Sequence, residues 1–166
     1  MAELRFRKRH RLRQKEVAAF AAQLDATLGT KTFSEGDVVD MAEGSGYDAV
    51  FAEGKVLAFV VGGKPFLTVR GLLRFGAQKR HVTVDMGAVK FVYNGADVMG
   101  PGIVDADPDI VPGDLVWIRD VKNKQPLAVG RAIVDSKAMA KKDKGKAVEA
   151  IHHVGDKLWL VDEEQD

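Results

Sequence analysis

A chain of 166 residues with 46% apolar side chains is long enough for one ordinary domain or two small ones, and it can bury a real core. No run approaches the roughly 20 apolar residues of a membrane-spanning helix, and no signal-peptide core opens the chain. Cysteine is absent, which excludes disulfides, a catalytic thiol and cysteine-held zinc or iron–sulfur clusters; the expectation is a soluble cytoplasmic protein. The net charge of +1 hides a polarity: residues 1–80 carry 14 Lys/Arg against 9 Asp/Glu (+5), and residues 81–166 carry 11 against 15 (−4). One basic face for an anionic polymer fits that distribution.

Arg5, Arg7, Arg9, Arg11 and Arg13 stand at every second position, with Leu4, Phe6 and Leu12 among the alternates. In a strand, period two predicts all five arginines on one face, an RNA-contact strip opposed nearby only by Glu3. The period then changes, because Val17, Phe20, Ala21, Leu24 and Leu28 follow helical spacing and Gly29 is a natural C-cap. Strands are expected at Asp37–Met41, Tyr47–Ala52 and Lys55–Val61, separated by glycine turns. Leu67–Phe75 reads as a short helix, and the polar stretch Gly76–Arg80 as a domain boundary.

Beyond it the pattern predicts a strand at His81–Asp85, a helix from about Gly87 to Tyr93 and a loop over Asn94–Gly102. Further strands are expected at Leu115–Arg119, Leu127–Val134 and Lys157–Val161. The lysine-rich Lys137–Lys146 reads as an exposed helix end or loop, and Trp117 and Trp159 as packing residues.

Catalytic motifs are missing. Gly54-Lys55, Gly63-Lys64 and Gly145-Lys146 lack the earlier glycine of a phosphate loop. His152 and His153 are neighbours, so on a strand they point to opposite faces, and no HExxH is present. None of Ser34, Ser45 and Ser136 sits in a nucleophile elbow, and Asp105, Asp107 and Asp109 read as solvated turn acids. No enzyme, metal or cofactor is expected.

The informative stretch runs from Val82 to Ile103. At about 100° per residue, Ala88, Phe91 and Val92 cluster on one side of the helix and Lys90, Tyr93 and Asn94 on the other. This pattern assigns Phe91 to the core and offers a cation, an aromatic ring and an amide to solvent, beside glycines at 95 and 102 that permit close backbone approach. Such a face suits phosphate contact with base stacking.

This stretch resembles the helix-and-glycine-loop signature of PUA domains, small β-pseudobarrels of RNA-binding and RNA-modifying proteins. Pro112-Gly113-Asp114-Leu115-Val116, Gly130, Lys144-Gly145-Lys146-Ala147-Val148 and His152–Trp159 continue the resemblance in order. Val84–Val92 and Gly95–Gly102 are similar above all to the archaeal and eukaryotic group that includes the malignant-T-cell-amplified-sequence protein and ligatin. The first half, with Phe66–Leu73, resembles that group's pre-PUA domain, although Leu67-Thr68 stands where the group often has Pro-Thr.

The resemblance implies an α+β chain: a small α/β pre-PUA domain over residues 1–76, then a PUA pseudobarrel over 79–162. It implies a non-catalytic protein of the translation machinery, docking tRNA or small-subunit rRNA in initiation, re-initiation or recycling, with the small ribosomal subunit and a separate translation factor as partners. The RNA-contact residues expected are Lys90, Tyr93, Asn94, Gly95, Ala96, Asp97, Gly102, Lys144 and Lys146, with Arg5, Arg7, Arg9, Arg11 and Arg13. Two alternatives stay open: an RNA-binding accessory subunit of a tRNA- or rRNA-modifying or ribosome-biogenesis complex, and a protein-binding adaptor. Salt-dependent RNA affinity separates the adaptor from the other two.

Overall fold

The computed structural model describes residues 4–161, and by contacts it divides into two units. Residues to Ala77 form the first together with the segment from Lys157; Gln78–Asp156 form the second.

The first unit is built on a five-stranded antiparallel sheet in chain order, β1 (Arg7–Arg11), β2 (Asp40–Glu43), β3 (Asp48–Ala52), β4 (Lys55–Val61) and β5 (Lys64–Leu67). Helix α1 (Gln14–Leu28) buries Val17, Phe20, Ala21, Leu24 and Leu28, the five positions of the helical spacing, and ends on Gly29 in the left-handed conformation. Strand β2 starts later than its apolar pattern suggests because Asp37 is committed to a turn, accepting from the Ser34 amide at 2.8 Å. Strand β5 is not evident in the sequence pattern. Gly62 and Gly63 both take positive φ and form a two-residue hairpin turn, and Pro65 is tolerated because β5 is an edge strand. Helix α2 (Val69–Phe75) follows, capped by the Thr68 hydroxyl, which accepts from the Gly71 amide and donates to the Val56 carbonyl. A Cβ at Gly71 would collide with the Leu57 carbonyl oxygen, so glycine lets α2 lie directly on β4.

The second unit is a six-stranded, nearly closed barrel-like sheet in the order β7-β11-β10-β9-β6-β8. Its strands are β6 (His81–Val84), β7 (Val98–Met99), β8 (Ile103–Ala106), β9 (Leu115–Asp120), β10 (Pro126–Ala132) and β11 (Lys146–His153). Only β6 and β9 run parallel; the other pairs are antiparallel. Val82, Val84, Val92, Val98, Ile103, Val116, Ile118, Leu127 and Val148 fill its interior. Helix α3 (Met86–Tyr93) follows β6, and α4 (Ser136–Lys141) occupies the first part of the lysine-rich run.

Three local expectations are corrected. Residues 157–160 form a helical turn, α5 (Lys157–Leu160), and not a strand; a short apolar run carries no period that tells the two apart. They also pack with the first unit, where the Arg70 guanidinium lies 3.9 Å from the Trp159 ring centroid and its Nε donates to the Trp159 carbonyl at 2.9 Å. Asp107 is no solvated acid: it is buried and accepts from the amides of Arg80 and Asp109, fixing the turn that leaves β8.

Candidate nucleic-acid interface

Helix α3 starts at Asp85, whose carboxylate accepts from the Ala88 amide at 2.9 Å, an N-cap bond. Val92 is buried and Ala88 and Val89 pack partly on the barrel core, so the inward direction runs between Val89 and Val92. Phe91 lies well off that direction and is 56% exposed, which corrects its expected place in the core. Met86, Lys90 and Tyr93 are also exposed. The Lys90 ammonium stands 5.2 Å from the Phe91 ring centroid and makes no ion pair among the described residues. Asn94 is exposed as well, and its side-chain amide donates back to the Lys90 carbonyl at 2.9 Å and closes the helix end.

The loop that follows is threaded tightly. Gly95 has φ +88°, and a Cβ there would stand 2.9 Å from Nε2 of His153. Ala96 is exposed. Asp97 accepts from the Ala150 amide at 2.8 Å and from the Lys146 ammonium at 2.9 Å. The Ala150 hydrogen bond, with Lys146 beside it, holds the Asp97 carboxyl below its ordinary range, and the hydrogen bond and charge of Asp97 in turn raise Lys146. Strand β7 then pairs with β11, Met99 opposite Lys146. At Gly100 the amide donates to the Gly145 carbonyl at 2.9 Å, and a Cβ would collide with the Asp143 carbonyl oxygen. Gly102 accepts from the Asp85 amide at 3.0 Å and lies against the Ala88 methyl.

The loop thus joins α3 on one side to residues 143–146 on the other. Lys90, Tyr93, Asn94, Gly95, Ala96, Asp97, Gly102, Lys144 and Lys146 come together on this part of the second unit. Their availability differs: Lys90 and the exposed Lys144 are open cations, whereas Lys146 and Asp97 neutralise each other.

The arginine strip lies in the first unit and is not a single face. Lys8 has φ +55°, and the register with β2 slips there: Arg7 is opposite Glu43, yet His10 is opposite Met41 and Arg11 opposite Asp40. The extra residue is a β-bulge, and it reverses the alternation. Arg9 and Arg11 share the Asp40 side, and Arg7 faces the other way. Nε of Arg9 is 3.1 Å and Nε of Arg11 2.5 Å from Asp40, and the Arg9 guanidinium lies 4.1 Å from the Phe51 ring centroid. Burial pushes the Asp40 carboxyl up, but bonds and charge from Arg11 and Arg9 outweigh it and hold it below its ordinary range. Lys8 reaches Glu43 at 3.8 Å. Arg5, Arg7 and Arg13 are exposed and make no ion pair among the described residues. The Arg13 amide donates to the Glu16 carboxylate at the start of α1. No cluster of three or more potential metal ligands occurs among the described residues.

Residues 80–154 match the family model of the PUA domain. Over 91% of its length the chain superimposes, with a TM-score of 0.77 and 32% identity, on 97% of a conserved PUA domain protein of Thermoplasma acidophilum. This chain belongs to the PUA-domain family. Similarity to a protein of Methanocaldococcus jannaschii is 37% identity, covering 94% of this chain and 98% of that relative. The chain is also 33% identical to translation machinery-associated protein 20 of Saccharomyces cerevisiae and 34% identical to human malignant T-cell-amplified sequence 2. Those matches span 62% and 61% of the two relatives.

Within this PUA-domain protein, sequence reasoning missed Phe91 and Met99, both exposed beside the lysines. Phe91 was legible in principle, since Val89 and Val92 together set the inward direction of α3. Strand β7 is too short to leave a periodic signal.

Proposed function

We propose that this protein docks structured RNA, tRNA or small-subunit rRNA, through the α3 and glycine-loop face of its second unit, and that it acts in initiation, re-initiation or recycling on the ribosome. The carrying observation is Lys90, exposed on a helix whose following loop is locked in place by close contacts at Gly95 and Gly100. A rigid backbone carrying open cations binds phosphates without spending affinity on ordering itself. Exposed Tyr93, Phe91 and Met99 add apolar surface for bases. The named relatives support the translation setting. The chain to residue 76 acts as the pre-PUA domain, residues 79–156 as the PUA domain, and Arg5, Arg7 and Arg13 supply a second phosphate-contacting group. The protein works as a docking module with a separate translation factor and has no chemistry of its own.

The test is binding of purified protein to tRNA and to small-subunit rRNA at low and high salt. Tight binding that weakens steeply with salt supports the reading; no binding at low salt removes RNA docking and leaves a protein adaptor.

A further inference from the structure

Among the described residues, five other than glycine hold positive φ: Lys8, Glu53, Arg80, Lys124 and Lys142. A Cβ strains that left-handed backbone, whereas glycine adopts it freely. Three of the five meet an opposite charge of this chain: Lys8 reaches Glu43 at 3.8 Å, Glu53 meets Arg74 at 2.9 Å and Arg80 meets Asp114 at 3.1 Å. Lys142 ends α4 two residues before Lys144, beside the face already described. Lys124 has no such reason. It is exposed at φ +58° and makes no ion pair among the described residues.

Its surroundings hold it out to solvent. Lys124 closes the loop of the β9–β10 hairpin, a left-handed position that glycine commonly fills. Asp120, at the loop's start, is buried and turned inward: its carboxylate accepts from the Asn123 amide and, at 3.2 Å, from the Gln125 amide. The Lys124 amide donates to the Asp120 carbonyl at 3.0 Å. The nearest acid in sequence is therefore committed to backbone, and Lys122, Asn123, Lys124 and Gln125 are all exposed. The Val121 amide donates to the Val84 carbonyl at 3.0 Å, which anchors the hairpin at the end of β6, where α3 is about to begin. The tip thus carries two open ammoniums and two carboxamides on a fixed backbone near the start of the docking helix.

We infer that this hairpin tip is a second RNA contact, one that grips the phosphates of a base-paired stem. The inference rests on the RNA-docking reading and deepens it, since the preferred ligand becomes an RNA whose stem meets the tip while another part meets α3. The chemistry of the tip names the duplex. No aromatic ring stands between Arg119 and Pro126, so the tip offers an unstacked base no platform. Ammoniums suit phosphates, and carboxamides suit the 2′-hydroxyls that an A-form helix displays along its shallow groove.

The probes are a blunt-ended RNA hairpin and an unstructured single-stranded RNA, titrated across a salt series in a filter-binding assay. A Lys122→Ala/Lys124→Gly double variant should bind the hairpin roughly fivefold more weakly than wild type. Its slope of log affinity against log salt should fall by up to about 1.8, two phosphate contacts, with the single strand unaffected. Lys124→Arg should bind as wild type does. Lys124→Gly alone should weaken hairpin binding about twofold yet keep or raise the melting temperature, an outcome that a merely structural lysine would not give. Unchanged hairpin affinity and slope in the double variant, with Lys90→Ala still weakening binding, overturns the tip contact while RNA docking stands. An equal loss on the single strand overturns the assignment to a duplex. Failure of wild type to bind either probe or tRNA at low salt overturns the docking reading and the tip with it.

Discussion

On β1 the central arginines answer to an acid of their own sheet, whereas on α3 Lys90 answers to none among the described residues. In the sequence the two regions rank the other way, five arginines in phase against a single lysine. Arg9 and Arg11 are spent on Asp40, Lys8 reaches Glu43, and the bulge at Lys8 turns Arg7 to the opposite face. On the second unit Asp97 likewise takes up Lys146 but leaves Lys90 and Lys144 open. Cation density measures potential; how many cations lack an internal acid measures what a phosphate can use.

The largest effect expected is on the glycine joint that fixes the second region. Gly100→Ala forces a Cβ into the Asp143 carbonyl, so unfolding in urea should show a loss of about 2–3 kcal/mol, the upper range for overpacking, with RNA affinity falling in parallel. Next, paired Arg9→Ala and Arg11→Ala substitutions leave Asp40 half-buried without its partners, and the melting temperature should drop by several degrees at pH 7. Because the folded Asp40 carboxyl is held below its ordinary 3.8, its stabilisation is present above that value and is lost as pH falls through the folded value. The gap between wild type and double variant should therefore close in acid, as thermal melts from pH 7 to pH 3 would show.

A smaller effect separates structure from binding inside the second region. Asp97→Asn weakens the loop but frees Lys146, so the melting temperature should fall slightly while RNA affinity holds or rises two- to threefold in a filter-binding assay. A fall in affinity without loss of stability would restore Asp97 as a direct RNA contact. The smallest effect concerns His81, whose Nδ1 is buried without a partner. Burial first, and Arg119 beside it, hold its pKa below the ordinary 6.5 despite opposing charge from Asp105 and Asp107. Between the folded value and 6.5 the unfolded chain binds more protons, so the native state loses stability as pH drops below 6.5. Melts at pH 7 and pH 5 should show a smaller decline for His81→Gln than for wild type.

Much of this was legible in the residues. Helix α1 follows its five apolar positions, and α3 and most strands of both sheets fall near their patterned runs. Strands β5, β7, β8 and β11 were not legible, because they are short or charged, or interrupted by proline, and take their identity from partners distant in sequence. At the site, residue types pointed to Lys90, Tyr93 and the glycine loop, but ion pairing is a tertiary property. Nothing in the spacing of Arg9, Arg11 and Asp40, or of Asp97 and Lys146, announces that they meet. Period two likewise assumes an unbroken strand, and one residue of positive φ at Lys8 defeats it.

The most direct test is the salt dependence of tRNA or small-subunit rRNA affinity for wild type, Lys90→Ala and an Arg9→Ala/Arg11→Ala pair. Docking through α3 predicts that Lys90→Ala weakens binding and lowers the slope of log affinity against log salt by about 0.7–0.9, one phosphate contact, while the arginine pair leaves the slope unchanged. An unchanged slope in Lys90→Ala with a collapsed slope in the arginine pair would place the RNA on the first unit and contradict the account.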